Sequence, residues 1–551
     1  MPKKIYTICE DKKSDYVIVI PANATHSRKA IAEGLKKSFE GFVEEPIAII
    51  TDDDTSTEHD ADKEILLGGT NRPESKKLME SMGYIEYALS VTGGKIVLAG
   101  LSDFALSDAC DAMAHYLLAF KPIALVGDPK VTIPDGFTIR TDTRRFVKGA
   151  PVYRGGVIAG VNDADSDSYT VCINETDAKQ YKAYLRKLEK LGYEKYDENK
   201  IKGNLFATYT NADMDVHTSF RPCYSTVRLT FAHKGRLPSK ENVYEDKDVR
   251  PAFMIIRPNN VTNTNGVSLA MRLCDGSLIV VDGGMHEYNE VTGKDDADNM
   301  FDALVELSGE KKPRIAAWFF THSHDDHTDC FTKFAAKYSP MVTLESLVYN
   351  FAGICSIPGW YRTYQTKIEK VSTFFGPNVR RVQAHTGQEL HIRDAKIEIL
   401  TTMDDFYPKS LLNVGVQTFP QPYNKPHTFP AHGSYFNDTC IIFKVTLGGQ
   451  TLMVLGDATF IQADRLVDMY GDYLKSDFMQ LAHHGSYGGS VQLYGTIAPD
   501  VVLWTSSMDR YIERLKISLN SALADRFGAK EIWPAGKGNK IFELPYKPNT
   551  F

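Results

Sequence analysis

The run Ile315-Ala316-Ala317-Trp318-Phe319-Phe320, bounded by Pro313 and Arg314, is short, bulky and apolar, and predicts a buried strand. Directly behind it comes Thr321-His322-Ser323-His324-Asp325-Asp326-His327, which places three imidazoles and a carboxylate at His-x-His-x-Asp-His spacing. The histidines are expected on the loop leaving the strand's C-terminal end. Such a loop can turn His322 and His324 to one side while Asp326 and His327 reach a second point close by. Imidazole nitrogen and carboxylate oxygen are natural zinc ligands, and incomplete protein ligation keeps positions for water. The competing reading, a polar loop that is merely rich in histidine, needs four ligand types at fixed spacing after a strand by chance.

With 551 residues the chain is too long for one core and suggests about two to four domains. Its 43% hydrophobic and 24% charged residues are ordinary for a soluble globular protein. No apolar run approaches the roughly 18 residues that span a bilayer. The start, Met1-Pro2-Lys3-Lys4-Ile5-Tyr6, has no apolar region of a signal peptide, so a cytoplasmic location is expected. A net charge of -7 argues against a broad nucleic-acid surface. Eight scattered cysteines with no Cys-x-x-Cys pair make neither a disulfide framework nor a zinc ribbon. Cys330, three residues past His327, is expected to pack rather than react. Nothing in the sequence bears on oligomeric state.

Residues 1–135 read as an α/β domain. Strands are expected at Tyr16–Ile20, Glu64–Gly69, Tyr87–Val91 and Lys95–Gly100, and helices at Ser27–Phe42, Pro73–Met82 and Ala105–Phe120. Gly68-Gly69-Thr70-Asn71-Arg72-Pro73 lacks any phosphate-loop spacing, and Asp52-Asp53-Asp54 reads as a solvated loop. Residues 136–250 read as an α+β domain, with strands at Ser168–Ile173, Asn204–Tyr209, Met214–Phe220 and Thr226–Ala232 and a helix at Asp177–Leu191. Asp163-Ala164-Asp165-Ser166-Asp167 begins like a calcium loop but lacks its glycine and terminal glutamate. No pattern in this stretch bears chemistry. Lys234–Arg250, charged and aperiodic, is expected to be a linker that lets 251–551 fold alone.

In residues 251–551 a hairpin is expected around Asp275-Gly276, ending in Asp282-Gly283-Gly284. A helix is expected from Thr328 to Lys337. A second hairpin turns at Gly448-Gly449 and ends in Gly456-Asp457, again a carboxylate at a strand's end. A helix over Phe460–Leu474 leads to the strand Phe478–Ala482, which ends in His483-His484-Gly485-Ser486. Further strands are expected at Val501–Thr505 and Lys530–Pro534.

These features together resemble the metallo-β-lactamase superfamily over residues 251–546. That resemblance implies a four-layer αββα sandwich with its metals at one edge. Asn437-Asp438-Thr439, Leu455-Gly456-Asp457-Ala458 and His483-His484-Gly485-Ser486 look most like the ComEC-type hydrolase domain and the phosphorylcholine esterases of teichoic acid. By resemblance, one metal takes His322 and His324, and the second takes Asp326, His327 and His484, with Asp457 bridging. His483 then sits beside the metals, near a substrate oxyanion, although either histidine of the pair can ligate. Thr328-Asp329-Cys330 departs from the glycines usual after the motif. The histidine that many members add is not evident among His385, His391, His427 and His432. His385 and His391 look structural, and His432 is the best candidate. The order of Glu64–Arg72, helix, Gly93–Gly100 and helix resembles the small N-terminal domain of some glycoside hydrolases, which suggests a carbohydrate connection.

Two divalent ions sharing a water lower its pKa to about 7 and stabilise both attacking and leaving oxygens. No Ser or Cys nucleophile is then needed, and Asp326 can orient the attacking water. His324, where the diiron branch has Glu, favours zinc hydrolysis, with manganese or iron as substitutes. Two function classes follow. One is a metal-dependent hydrolase of a phosphodiester or a phosphorylated, carbohydrate-linked ester, acting on a small-molecule or glycan-linked substrate. The other is a glycan- or partner-binding protein whose hydrolase fold has lost turnover. The nearly complete ligand set favours the enzyme.

Overall fold

The computed structural model describes residues 3–84, 86–119, 130–142, 150–162, 168–258, 266–351, 364–405 and 437–548. His427, His432 and the calcium-loop-like 163–167 lie outside them. The described residues form two compact units, one of 3–162 and 171–184, the other of 168–170, 185–405 and 437–548. Among the described residues no helix is long and apolar enough to cross a membrane.

The first unit holds a six-stranded sheet in the order Ile49–Thr51, Val17–Ile20, Glu64–Leu67, Lys95–Gly100, Glu86–Thr92, Thr138–Asp142. The first four strands are mutually parallel, and Glu86–Thr92 pairs antiparallel with both of its neighbours. Helices His26–Lys37, Pro73–Glu80 and Asp103–Leu118 belong to the same unit. A parallel strand is buried on both faces, which is why Val17–Ile20 and Ile65–Leu67 are continuous apolar runs. Asp52 does more than face solvent, because it accepts from the backbone of Ala22 (2.9 Å) and Asn71 (2.6 Å) and so ties two strand-end loops together.

The second unit contains the sandwich. In chain order its strands are β1 (Ala252–Ile255), β2 (Leu269–Arg272), β3 (Leu278–Val281), β4 (Arg314–Phe319), β5 (Ser346–Tyr349), β6 (Arg380–Gln383), β7 (Glu389–Ile392), β8 (Ala395–Thr401), β9 (Ile442–Leu447), β10 (Gln450–Val454), β11 (Phe478–Gln480), β12 (Val501–Trp504), β13 (Glu531–Pro534) and β14 (Lys540–Glu543). One sheet runs β6-β5-β4-β3-β2-β1-β14, with Thr343–Leu344 also paired to β4; the other runs β7 to β13 in sequence order. Alternation along each strand sends its two sets of side chains to opposite faces. Phe253 and Ile255 of β1 point inward to meet Phe443, Val445 and Phe478 of the opposite sheet. Met254 of β1 and Trp318 of β4 point outward, under α1 (Asp296–Ser308) and α2 (Asp325–Tyr338). Met453 of β10 and Trp504 of β12 likewise lie under α3 (Phe460–Tyr470) and α4 (Val491–Ile497). The result is the αββα layering, helix, sheet, sheet, helix.

An antiparallel meander, Glu194–Ile201, Asn204–Thr210, Met214–Arg221 and Thr226–His233, belongs to this same unit. Its Ile201 and Phe206 join the core on the outer face of the second sheet. A Cβ on Gly387 would stand 2.0 Å from the Phe206 ring, so only glycine fits there. Residues 234–250 carry no helix or strand, yet they are tied down along their length. Arg236 donates to Tyr349 (2.6 Å) and Glu369 (2.9 Å), Asn242 bonds both backbone groups of Arg393, and Lys247 and Val249 donate to the Cys274 carbonyl.

Burial of Ile201 and Phe206 contributes about 1.5–3 kcal/mol each. A 251–551 fragment loses both, together with the hydrogen bonds of 234–250. It is expected to give less soluble protein than the full chain and to lack a cooperative melt by circular dichroism. A fragment that melts as sharply as the full chain would show the meander to be dispensable.

Candidate metal centre

β3 and β4 run parallel, as do β10 and β11, so within each pair the carboxyl ends share one sheet edge. Asp282 follows β3, the histidine motif follows β4, Asp457 follows β10, and His483-His484 follows β11. The two edges meet, with Ile441 N–H donating to the Thr321 carbonyl at 2.8 Å. Ligands in such sheets collect at carboxyl ends because the loops there leave the core together.

The motif is divided between loop and helix. His322 and His324 lie before α2, with His324 at its N-cap, whereas Asp325, Asp326 and His327 form its first turn. Carboxylates in that turn are stabilised by the helix macrodipole, which offsets their weak helix propensity. The expected all-loop motif and the expected start at Thr328 are corrected accordingly.

Two groups of ligand atoms converge. Atoms of Asp326, His327, Asp457 and His484 all lie within 4.8 Å of one another, as do those of His322, His324 and Asp457. His327 Nε2 is 3.2 Å from Asp457 Oδ1, and His484 Nε2 is 3.2 Å from both Asp457 and Asp326. His322 Nε2 is 2.9 Å from His324 Nδ1 and 3.9 Å from Asp457. His327 Nε2, His484 Nε2 and Asp457 Oδ1 are buried and have no hydrogen-bond partner. Buried polar atoms are rarely left so, and a divalent cation fits three that face one another.

The surrounding groups set which nitrogen faces inward. Asp282 Oδ2 holds His327 Nδ1 at 2.8 Å, and Asp282 is itself held by Thr321 N–H and Oγ1, both at 2.7 Å. The Thr505 carbonyl accepts from His484 Nδ1 at 3.1 Å. Each outer bond engages Nδ1 and turns Nε2 toward the common point, the nitrogen that a metal would take once its proton is displaced. His483 differs. Its Nε2 is 3.6 Å from Asp457 and 3.4 Å from Asn437 Nδ2, and 30% of its side chain is exposed. The structure thus places His484 within the converging set and His483 beside it.

His483 and His484 both have left-handed backbone (φ 51° and 52°), followed by Gly485 at φ 75°. A Cβ at 485 would meet the Trp504 indole at 2.3 Å, so this turn requires glycine. Left-handed conformation at two successive histidines is costly and aims one ring inward and the other to the rim.

The carboxylates and imidazoles of the cluster act strongly on one another. Against burial, Asp457, Asp282 and Asp326 hold His327 well above its usual range, and Asp457 and Asp326 raise His484 to about 9. Against the same burial, His484 and His327 hold the Asp457 carboxyl well below its usual range. Burial, then the charges of His327 and His324, pushes His322 well down, so its imidazole is neutral. The carboxylates draw positive charge into the site, which a divalent ion supplies without protonating the ligands.

The other histidines lie elsewhere. His385 is 2.7 Å from Asp404 and stacks on His217 at 3.6 Å, while His391 is exposed beside Glu389. Cys330 is buried under the first sheet, where burial raises its thiol. Asp282, Thr321, Thr505 and Asn437 received no role from sequence. The Asp-Gly-Gly strand end was a signal for Asp282, whereas Thr505 offered none.

The sequence matches no protein-family model and no curated protein. Solved structures similar to part of it are metallo-β-lactamase-fold proteins. YhfI of Bacillus subtilis aligns with 12% identity over 53% of this chain and 99% of its own, with a TM-score of 0.31. Zinc-bound PqqB of Methylobacterium extorquens aligns with 10% identity over 53% of this chain and 100% of its own, at 0.32. CmlA, a diiron β-hydroxylase of Streptomyces venezuelae, aligns with 11% identity over 54% of each chain, at 0.33, so the match spans about half of CmlA.

Asp282→Asn retains shape but removes the charge that orders His327. Metal affinity is expected to fall about 10–100-fold, measured by competition with a chromogenic chelator. Unchanged affinity would reduce Asp282 to a packing role.

Proposed function

We propose that this chain, carrying a metallo-β-lactamase fold, is a metal-dependent hydrolase. Its substrate class is a phosphodiester or a phosphorylated, carbohydrate-linked ester. The carrying observation is the set of three buried, partnerless atoms, His327 Nε2, His484 Nε2 and Asp457 Oδ1, facing one point. The substrate class rests on the ComEC-like and esterase-like form of Asn437-Asp438-Thr439, Gly456-Asp457 and His483–Ser486.

His322 and His324 would hold one ion, and Asp326, His327 and His484 the other, with Asp457 shared between them. Zinc suits this nitrogen-rich set, and manganese or iron can replace it. Such an ion pair supplies Lewis acidity and a nucleophilic water at neutral pH. The chain's own residues do the rest. Asp326 has one oxygen near His327 (3.8 Å) and one near His484 (3.2 Å), which positions its carboxylate to orient the attacking water. His483 is the histidine at the rim. Burial, reinforced by His484, keeps its ring neutral against the pull of Asp457. A neutral ring beside the site can move a proton to or from the substrate oxygen, and Asn437 fixes its orientation.

Purified protein is expected to hold one to two equivalents of zinc, manganese or iron and to cleave a generic phosphodiester or ester. Chelation should abolish turnover and metal addition restore it. Asp457→Ala should remove activity and loosen metal, and His484→Ala should lower occupancy. His483→Ala should keep the metal yet slow turnover by about 10²–10⁴-fold. Full activity in Asp457→Ala would end the two-ion reading. Occupancy lost with His483→Ala and kept with His484→Ala would exchange the two roles.

A further inference from the structure

The segment leaving β12 turns into α5 (Met508–Arg514). β12 runs parallel to β11, so α5 begins at the sheet edge that also carries His483 and His484. Arg510 and Arg514 stand four residues apart and share one face of the helix. Tyr511 sets its ring edge-on to Trp504, 4.8 Å between centroids, which seats α5 against the left-handed turn of the histidine pair. The carbonyl of that turn at His484 accepts from Trp504 Nε1 and from Arg514 Nη1, both at 2.8 Å. His484 therefore faces two ways, with Nε2 toward the candidate metal centre and its carbonyl on Arg514.

A guanidinium offers one edge on which Nε–H and an Nη2 N–H run parallel, and Nη1 lies outside that edge. Arg514 is engaged only through Nη1. Arg510 is likewise engaged through Nη1, by Glu513 at 2.8 Å. The Nε/Nη2 edge of each is open. Arg510 Nε is buried and has no hydrogen-bond partner, a state in which buried donors are rarely left. Arg514 is half-buried and has no carboxylate in ion-pair contact among the described residues. Burial, then the charge of Arg510, lowers its guanidinium against the pull of Glu513, Asp457 and Asp326. Both carboxylates of the centre are thus near enough to act on Arg514. Glu513 offsets Arg510, which leaves the charge of Arg514 unanswered at the rim.

We propose that Arg514 and Arg510 form a subsite for a second phosphate of the substrate, beside the group held at the metal centre. This rests on the hydrolase reading and narrows its substrate class to phosphodiesters or phosphorylated esters that carry a neighbouring phosphate. The open edge of a guanidinium matches two oxygens of such a group. The two positions lie on either side of His484, a separation suited to adjacent phosphates on one sugar. A cationic group in the same place would meet guanidinium charge and be disfavoured.

The test uses the full chain loaded with zinc and reads binding rather than turnover. Thymidine 3′,5′-bisphosphate and glucose 1,6-bisphosphate are each compared with their own monophosphates by isothermal titration at constant ionic strength. At least one bisphosphate is expected to bind about tenfold or more tightly than either of its monophosphates, as a charge-assisted bidentate contact supplies. Arg510→Gln should remove most of that preference. Arg514→Lys keeps a charge and a donor for the His484 carbonyl but has no parallel N–H pair, and should remove it as well. Zinc content should be unchanged in both variants. No preference for either bisphosphate, or a preference kept in both variants, would overturn the inference. So would zinc lost from Arg514→Lys with the preference intact in Arg510→Gln, which would leave Arg514 as a prop for the His484 turn. A chain that shows the preference but cleaves no phosphodiester or ester refutes the hydrolase reading alone. One that cleaves a phosphodiester yet binds bisphosphates no better than monophosphates refutes only the subsite.

Discussion

Asp457 is 1% exposed and stands among four imidazoles, with oxygens 3.2 Å from His327 and His484, 3.6 Å from His483 and 3.9 Å from His322. Removing that much ionisable surface from water costs several kcal/mol per charge unless the charges compensate one another. Much of the local structure answers this cost. Asp282 and Thr321 fix His327, and the Thr505 carbonyl fixes His484. None of these outer groups needs to touch a substrate. Their contribution is to hold the Nε2 atoms of both rings toward one point, so little reorganisation of the rings is needed on metal binding.

The two packed sheets make that placement possible. Inward residues such as Phe253, Phe319, Phe443 and Phe478 bury one face of each sheet, and the outer helices bury the other. Strands locked on both faces cannot slip in register without exposing a whole row of side chains. The ends of β3, β4, β10 and β11 are therefore fixed relative to one another, and the loops leaving them inherit that precision. The meander adds to the second sheet through Ile201 and Phe206, and brings the buried Arg221 to Asp405 just beyond the end of β8.

The strands were legible where burial on both faces makes an apolar run unambiguous, as at Ile315–Phe320, Leu278–Val281 and Phe478–Ala482. The edge strand Glu194–Ile201 was not, because its charged, largely solvent-facing residues carry no hydrophobic period. Residues 234–250 looked like a linker for the same reason. Their hydrogen bonds to Tyr349, Cys274 and Arg393 join positions that no local pattern connects.

The sequence alone determined the chemistry of the candidate centre, because His-x-His-x-Asp-His after a strand specifies ligand types by spacing. It also marked Asp457 and His483-His484 as strand-end groups. Which histidine of that pair enters the cluster depended on Thr505, 21 residues away, and on the Trp504 ring beneath Gly485. The role of Asp282 depended on His327, 45 residues away. The burial of Arg221 beside Asp405 joined residues 184 apart. Ligand identity is local chemistry and can be read along the chain. Tautomer, orientation and charge balance are set by what folding brings into contact, and only the tertiary structure decided those.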